Sequence, residues 1–347
     1  MKVLHVLNTG KYSGAENVVI TLIHALEGKV ECAYASPDGS IRDILKEENI
    51  KYFPISTSAA NAKELKRIIH LFKPDIIHTH DYNTGIMAYL TRTKIPIISH
   101  LHNNTPWLRT VCLKSLAYIA SCVSYKKILT VSDSVMDEFI FSNLVKKKSQ
   151  VVGNPINLSA IREKVDEKGI LQEPSDIIFL GRLSPQKKPL FFLEIVADIV
   201  KQIPNLRVAM VGSGELHEEV EAKIVELCLQ NNVTLYGFQK NPYGLLNASK
   251  VMCMPSAWEG FGLAAIEALA LGKPVTAAPV GGLKEIVNSE CGGLCERKEE
   301  YIAELVKLLS DESYYNAKSD RARKRAVEYD NIKSYARLIS EIYSTIA

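Results

Sequence analysis

The segment PSAWEGFGLAAIEALALGKPV holds the densest chemistry in the chain. Glu259 stands in a loop, Gly260-Phe261-Gly262 lead through Leu263 into a helix, and Glu267 falls on that helix eight positions after Glu259. A loop carboxylate accepts hydrogen bonds from sugar hydroxyls, amides at a helix start hold phosphate or hydroxyl oxygens, and a helical carboxylate can hold a ribose. Two carboxylates near one helix start would also favour the helix dipole, but that explains neither glycine. PVGGLKEIV then sets Gly281-Gly282 after another strand, at another helix start.

Upstream, FLGRLSPQKKPL places Arg182, Lys187 and Lys188 directly after a strand. Cations at a strand end neutralise a diphosphate leaving group without a metal, although the same pattern also makes a solvated basic loop. VGSGELHEE starts as a dinucleotide loop at Gly212 and Gly214 but has His217 where the third glycine belongs, so it reads as a strand-to-helix turn near phosphate. NTGKYSGAEN opens a helix with Gly10, Ser13 and Gly14, either as an anion cradle or as a glycine turn with a serine cap. His78 and His80 in DIIHTHD point the same way from an i, i+2 pair without a third ligand in evidence, and they read as loop structure. The chain contains no Asp-x-Asp to hold a divalent ion and no G-x-S-x-G elbow. The expectation is therefore a metal-free site with no cofactor.

These residues need strands to follow and helices to open. Short apolar runs alternate with helical patterns (VLHVL, ECAYAS, DIIHTH, IPIISHLH, KKILTVS), which predicts parallel sheets with helices on both faces. The pattern breaks near residue 150, where a Gly-Asn-Pro turn and a charged stretch read as a linker, and restarts at DIIFLGR. The expected organisation is a first α/β domain over 1–153, a linker over 154–172, a second α/β domain over 173–330 and a terminal helix over 331–347. Ligands of two such sheets in tandem bind outside the carboxyl ends of the strands, in the crevice between them.

A chain of 347 residues makes roughly two domains of ordinary globular composition. A net charge of +3 excludes a dedicated nucleic-acid binder. Residues 1–170 carry 22 basic against 16 acidic side chains, and the remainder 20 against 23, so the N-terminal half meets the more anionic partner. Seven cysteines without a C-x-x-C pair point to a reducing, cytoplasmic setting. The opening residues resemble a first buried strand more than an export signal, and the most membrane-like stretch, Val111 to Val123, is shorter than the ~20 residues a spanning helix needs and contains Lys114.

With these motifs in place, the sequence resembles the retaining, nucleotide-sugar-dependent glycosyltransferases of group 1 (family 4), which have the GT-B fold. The likeness covers nearly the whole chain and is most specific at Glu259-GFGLAAI-Glu267, preceded by GRLSPQK. It implies two Rossmann-like, doubly wound α/β domains facing a cleft, with a C-terminal helix crossing back to the N-terminal domain. By the same resemblance Arg182 and Lys187 bind the donor diphosphate, Glu259 the transferred sugar and Glu267 the ribose. Lys188 stands where the family often has glycine. SGAEN resembles the family's glycine loop, and SHLHNN its histidine-bearing strand end, which makes His102 rather than His100 the residue facing the sugar. VVGNPIN resembles a hinge-side segment but has Pro155 and Asn157 in place of the usual Gly and Asp.

The expected function is transfer of a hexose from a nucleoside diphosphate sugar, with UDP as the expected nucleotide, to a hydroxyl of a lipid-linked or polysaccharide acceptor, with retention. Catalysis falls to His102, Arg182, Lys187 and Glu259. Donor binding falls to Gly14, Gly212, Gly214, Gly260, Phe261, Gly262, Leu263 and Glu267. The basic points Arg109, Lys114, Lys126, Lys127 and Lys146 to Lys148 either suit an anionic membrane surface, at the inner face of the membrane, or are solvated faces. A sugar-nucleotide epimerase and a non-catalytic sugar-nucleotide-binding protein remain as alternatives. A dinucleotide oxidoreductase is a third, sharing the sheet class, but neither half has a complete glycine fingerprint.

Overall fold

A strand covered by helices on both faces must be apolar on both, and the central strands show this residue by residue. Ile177, Phe179, Val208, Met210, Val251 and Cys253 enter one core with Phe192, Leu193 and Val196. The residues between them, Ile178, Ala209, Val211, Met252 and Met254, enter another core with Ala265, Ile266 and Leu269. The computed structural model describes residues 1–56, 61–167 and 171–347, which divide into two units: Met1–Pro155 with Asn331–Ala347, and Ile156–Asp330.

The first unit contains β1 (Lys2–Val6), β2 (Glu31–Pro37), β3 (Lys51–Ile55), β4 (Ile76–His80), β5 (Ile97–Leu101), β6 (Tyr125–Thr130) and β7 (Ser149–Val151). They form one parallel sheet in the order β3-β2-β1-β4-β5-β6-β7. The second contains β8 (Ser175–Leu180), β9 (Val208–Val211), β10 (Val233–Gly237), β11 (Ser249–Met254), β12 (Val275–Ala277) and β13 (Gly292–Leu294), also parallel, in the order β10-β9-β8-β11-β12-β13. Each sheet grows outward from its first strand and then resumes on that strand's other side. The reversal between β1 and β4, and between β8 and β11, is where doubly wound sheets open a ligand crevice at their carboxyl ends.

The terminal helix Ile332–Ile346 belongs to the first unit. Its Tyr335, Ile339, Ile342 and Tyr343 are buried against Val3, Leu22, Ile76 and Ile98, the stripe expected of an amphipathic helix. The charged stretch read as a linker carries the helix Leu158–Glu163, and Leu158, Ile161 and Val165 lie in the core of the second unit. No described helix is long and apolar enough to cross a membrane. All seven cysteines are free thiols.

Candidate functional site

Strands β8 and β11 are hydrogen-bonded neighbours, so the loops that leave their carboxyl ends lie side by side. The Ala257 amide donates to the Gln186 carbonyl (2.7 Å), and Gln186 Nε2 donates to the Trp258 carbonyl (3.0 Å). This cross-link sets Lys187 against Glu259: the Lys187 ammonium forms an ion pair with Glu259 Oε1, which also accepts from Ser256 Oγ at 2.8 Å. Glu259 is 5% exposed, so its carboxylate meets these two partners rather than water.

The backbone around the pair is tightly fitted. Gly281 has φ of +50°, and a Cβ there would stand 1.6 Å from the carbonyl oxygen of Glu259, so only glycine lets the β12 loop support the glutamate. Gly262, in a left-handed conformation, caps the helix Leu263–Ala270, whose first turn begins directly beyond the Glu259 loop, with Gly260 buried and Phe261 half-buried between them. Glu267 lies one helical turn further on, accepting from the Tyr243 hydroxyl at 2.9 Å. Burial raises the Glu267 carboxyl above the ordinary value, opposed by the Tyr243 hydroxyl and the charge of Lys164. Glu259 and Glu267 thus have separate partners and separate places.

Arg182 is exposed at the end of β8 and makes no ion pair among the described residues. Lys188 occupies a left-handed position before the helix Pro189–Val200, with its ammonium 5.5 Å from the Phe191 ring centre. Gly212 and Gly214 follow β9, the other neighbour of β8, and pack against the carbonyls of Gly181 and Leu183. Four adjacent strands therefore send their carboxyl-end loops to one edge: three cations, one buried carboxylate and helix-start amides, which together suit an anionic diphosphate carrying a hydroxylated group.

The first unit is built differently. His102 immediately follows β5, half-buried, and its Nε2 is 3.0 Å from His80 Nδ1. His80 Nε2 is in turn 3.0 Å from His5 Nδ1, and His78 Nδ1 is 2.6 Å from the Tyr343 hydroxyl. Reading His78 and His80 as loop structure is corrected here: both lie on β4, buried between β1 and β5, because the apolar run DIIHTH continues as strand through its histidines. The strand order also supplies neighbours the spacing concealed, bringing His5, His78 and His80, and His80, His100 and His102, into groups of three ring nitrogens within 4.8 Å. Burial lowers His102 to about 4 and His5 to about 3, and holds His78, His80 and His100 well below their ordinary value, so the rings are neutral at pH 7.

Gly14 begins the helix Gly14–Ala25, and the Ser13 hydroxyl donates to the Glu16 carboxylate without accepting from a backbone amide of that helix. Gly10 has its own packing reason, since a Cβ there would lie 2.4 Å from the Asp38 carbonyl oxygen. Ser256, Gln186 and Tyr243 were not evident as functional residues. Ser256 stands three residues before Glu259 inside the motif and was the one with a readable signal.

Two parallel α/β domains of this strand order are the GT-B architecture, and the whole-chain likeness agrees: the crystal structure of Anabaena HepE in complex with UDP and glucose has a TM-score of 0.86 at 20% identity, covering 99% of this chain and all of that one. The family model for glycosyl transferases group 1 matches residues 160–325, and that for glycosyltransferase family 4 matches residues 12–160. An uncharacterised glycosyltransferase of Methanocaldococcus jannaschii is 31% identical over 251 residues, 66% of this chain and 61% of that protein. The UDP-Gal:α-D-GlcNAc-diphosphoundecaprenol α-1,3-galactosyltransferase of Escherichia coli is 26% identical over 344 residues, 88% of this chain and 86% of that one. The chain belongs to the group 1 glycosyltransferases.

Proposed function

We propose that this chain transfers a hexose from a UDP-sugar to a hydroxyl of a lipid-linked glycan, with retention and without a metal. The observation that carries this reading is the Lys187–Glu259 pair at the carboxyl ends of neighbouring strands, beside exposed Arg182 and the start of the helix Leu263–Ala270. As the bond from the sugar to the diphosphate breaks, its electron pair passes to the leaving phosphate oxygen. Arg182, Lys187 and the helix amides take up that charge, as a metal would elsewhere. Glu259 holds the sugar hydroxyls and Glu267 the ribose. The acceptor hydroxyl attacks from the face the diphosphate is leaving, and its proton goes to the departing phosphate, so no enzyme nucleophile is required.

The UDP-Gal donor and the diphosphoundecaprenol acceptor in the name of the E. coli relative support this donor and acceptor class. The surface of the first unit supports a membrane-borne acceptor. Val111, Leu113, Val123 and Leu144 are 62%, 87%, 73% and 74% exposed, amid Lys114, Lys146 and Lys147. Apolar side chains among lysines suit an anionic bilayer face. Other basic points have local duties: Arg109 pairs with Glu138 at 2.9 Å, and Lys148 donates to the Cys122 carbonyl at 3.1 Å. The experiment is a donor screen against crude bacterial lipid, with product mass and anomeric configuration read out, with and without EDTA. A UDP-sugar should be consumed with an α-linked lipid product, equally in EDTA. UDP release without transfer, or a strict Mg²⁺ or Mn²⁺ requirement, would overturn the reading.

A further inference from the structure

Five of the chain's eight histidines stand in one cluster where β1, β4 and β5 meet, more than a donor site on the other unit requires. The triads have the ligand type of a transition-metal site, but their rings are arranged otherwise. His78 and His80, and likewise His100 and His102, lie with centroids 4.2 Å apart at interplanar angles of 27° and 31°. Side-by-side rings send their lone pairs in parallel, whereas an ion needs them converging on one point about 2.0–2.1 Å from each nitrogen. What the geometry does form is a chain of two hydrogen bonds, His5 Nδ1 to His80 Nε2 and His80 Nδ1 to His102 Nε2, each 3.0 Å.

Three neutral imidazoles carry one N–H each, and two inter-ring bonds allow only two arrangements. If the protons run inward, His102 donates through Nε2, His80 donates to His5, and His5 is left with an N–H on Nε2. That atom is buried without a partner. If they run outward, His5 donates through Nδ1, His80 donates through Nδ1, and His102 carries its proton on Nδ1; the inner end then holds only a lone pair. Buried N–H groups without acceptors are rarer than unfilled acceptors, and stranding one costs about 1–3 kcal/mol. The outward arrangement is favoured. Nδ1 of His102 has no partner among the described residues, so its proton remains available to a ligand.

We infer that His5 and His80 are positioning residues that hold His102 in its Nδ1–H tautomer, so that His102 meets the donor sugar as a hydrogen-bond donor and not as a proton acceptor. The second half of this statement rests on the sugar-facing reading of His102; the first does not. Neither His5 nor His80 touches substrate, and each acts only through the ring beyond it.

The test is long-range ¹H–¹⁵N correlation on the full chain with ¹⁵N-labelled histidine, with the His102 signals identified by their loss in His102→Gln. The expected spectrum has a pyrrole-type nitrogen at Nδ1 of His102 and a pyridine-type nitrogen at Nε2, unchanged by EDTA. In His80→Leu the proton should move to Nε2, the form preferred by a free imidazole side chain. His80→Asn, whose amide nitrogen stands near the position of Nδ1, should restore the Nδ1–H form. Loss of one such contact should lower turnover about tenfold in His80→Leu, with most of it recovered in His80→Asn. A proton on Nε2 of His102 in the wild-type spectrum overturns the inference, as do histidine nitrogen shifts that move on chelation, which would reveal a bound metal. The wild-type spectrum decides this even where a variant of buried His80 fails to fold. If the Nδ1–H form is seen while His102→Ala keeps wild-type kinetics, the sugar-facing half falls and the tautomer relay stands.

Discussion

The two units share a strand order but differ in what they place at the point where it reverses. Between β8 and β11 stands an ion pair, Lys187 with Glu259; between β1 and β4 stand neutral imidazoles joined nitrogen to nitrogen. The contrast follows from how each charge is handled. The lysine and the buried carboxylate answer each other across an ion pair, whereas five histidines packed together at the sheet's centre remain uncharged. In the proposed mechanism the second unit holds the charge that develops on a leaving group, and in the proposed relay the first presents an oriented donor without charge.

The largest effect should come from the helix the first unit borrows from the end of the chain. Tyr335, Ile339, Ile342 and Tyr343 are buried in it, and at about 1.5–3 kcal/mol each their loss approaches the whole stability of a domain. Ending the chain after Asp330 should leave the first unit unfolded while the second retains protected amides, as read by hydrogen exchange. A truncated chain with protected β1, β4 and β5 would break the comparison.

Next is Lys187→Ala, which leaves the buried Glu259 with Ser256 as its remaining hydrogen-bond partner. Removing one member of such a pair should cost about 2–4 kcal/mol of stability in the second unit and lower transfer about 100-fold. Arg182→Ala, at an exposed position, should leave the melting temperature unchanged and weaken donor binding. Equal melting temperatures for wild type and Lys187→Ala would show that the pair is not structural.

Acid should separate the units more gently. The buried histidines have folded values below the ordinary 6.5, down to about 4 at His102 and about 3 at His5. The unfolded chain therefore binds more protons than the folded one below pH 6.5, and the stability present above 6.5 is lost as the pH falls toward 4. Glu267, raised by burial, works in the opposite direction in the second unit. Hydrogen exchange at pH 5 against pH 7 should show β4 and β5 losing protection before β8 and β11. The reverse order would contradict the assignment of neutral rings.

Much of this was readable in the sequence for a physical reason. Parallel strands buried on both faces make apolar runs such as DIIFL and KVMCM, and the loop after each run is a carboxyl-end loop. Arg182, Lys187 and Glu259 stood out because their loops are dense in glycine and charge, and Glu267 because it lies on the helix that the Glu259 loop opens. The histidine chain did not, since His5, His80 and His102 come from two strands and the end of a third, whose adjacency depends on sheet order, which no local period encodes. Tyr243 was hidden for the same reason, 24 residues from the Glu267 it serves. The charged stretch after residue 155 hid the helix Leu158–Glu163 because only a few of its residues face the core.

The most direct test of the central claim, that the second unit reads the donor with two glutamates of separate duty, is calorimetry of UDP and of the active UDP-sugar on Glu259→Ala and Glu267→Ala. Glu267→Ala should lose about tenfold in affinity for both ligands, through the ribose they share. Glu259→Ala should bind UDP as wild type does and lose only the increment the sugar adds. Equal loss of UDP affinity in both variants would contradict the account.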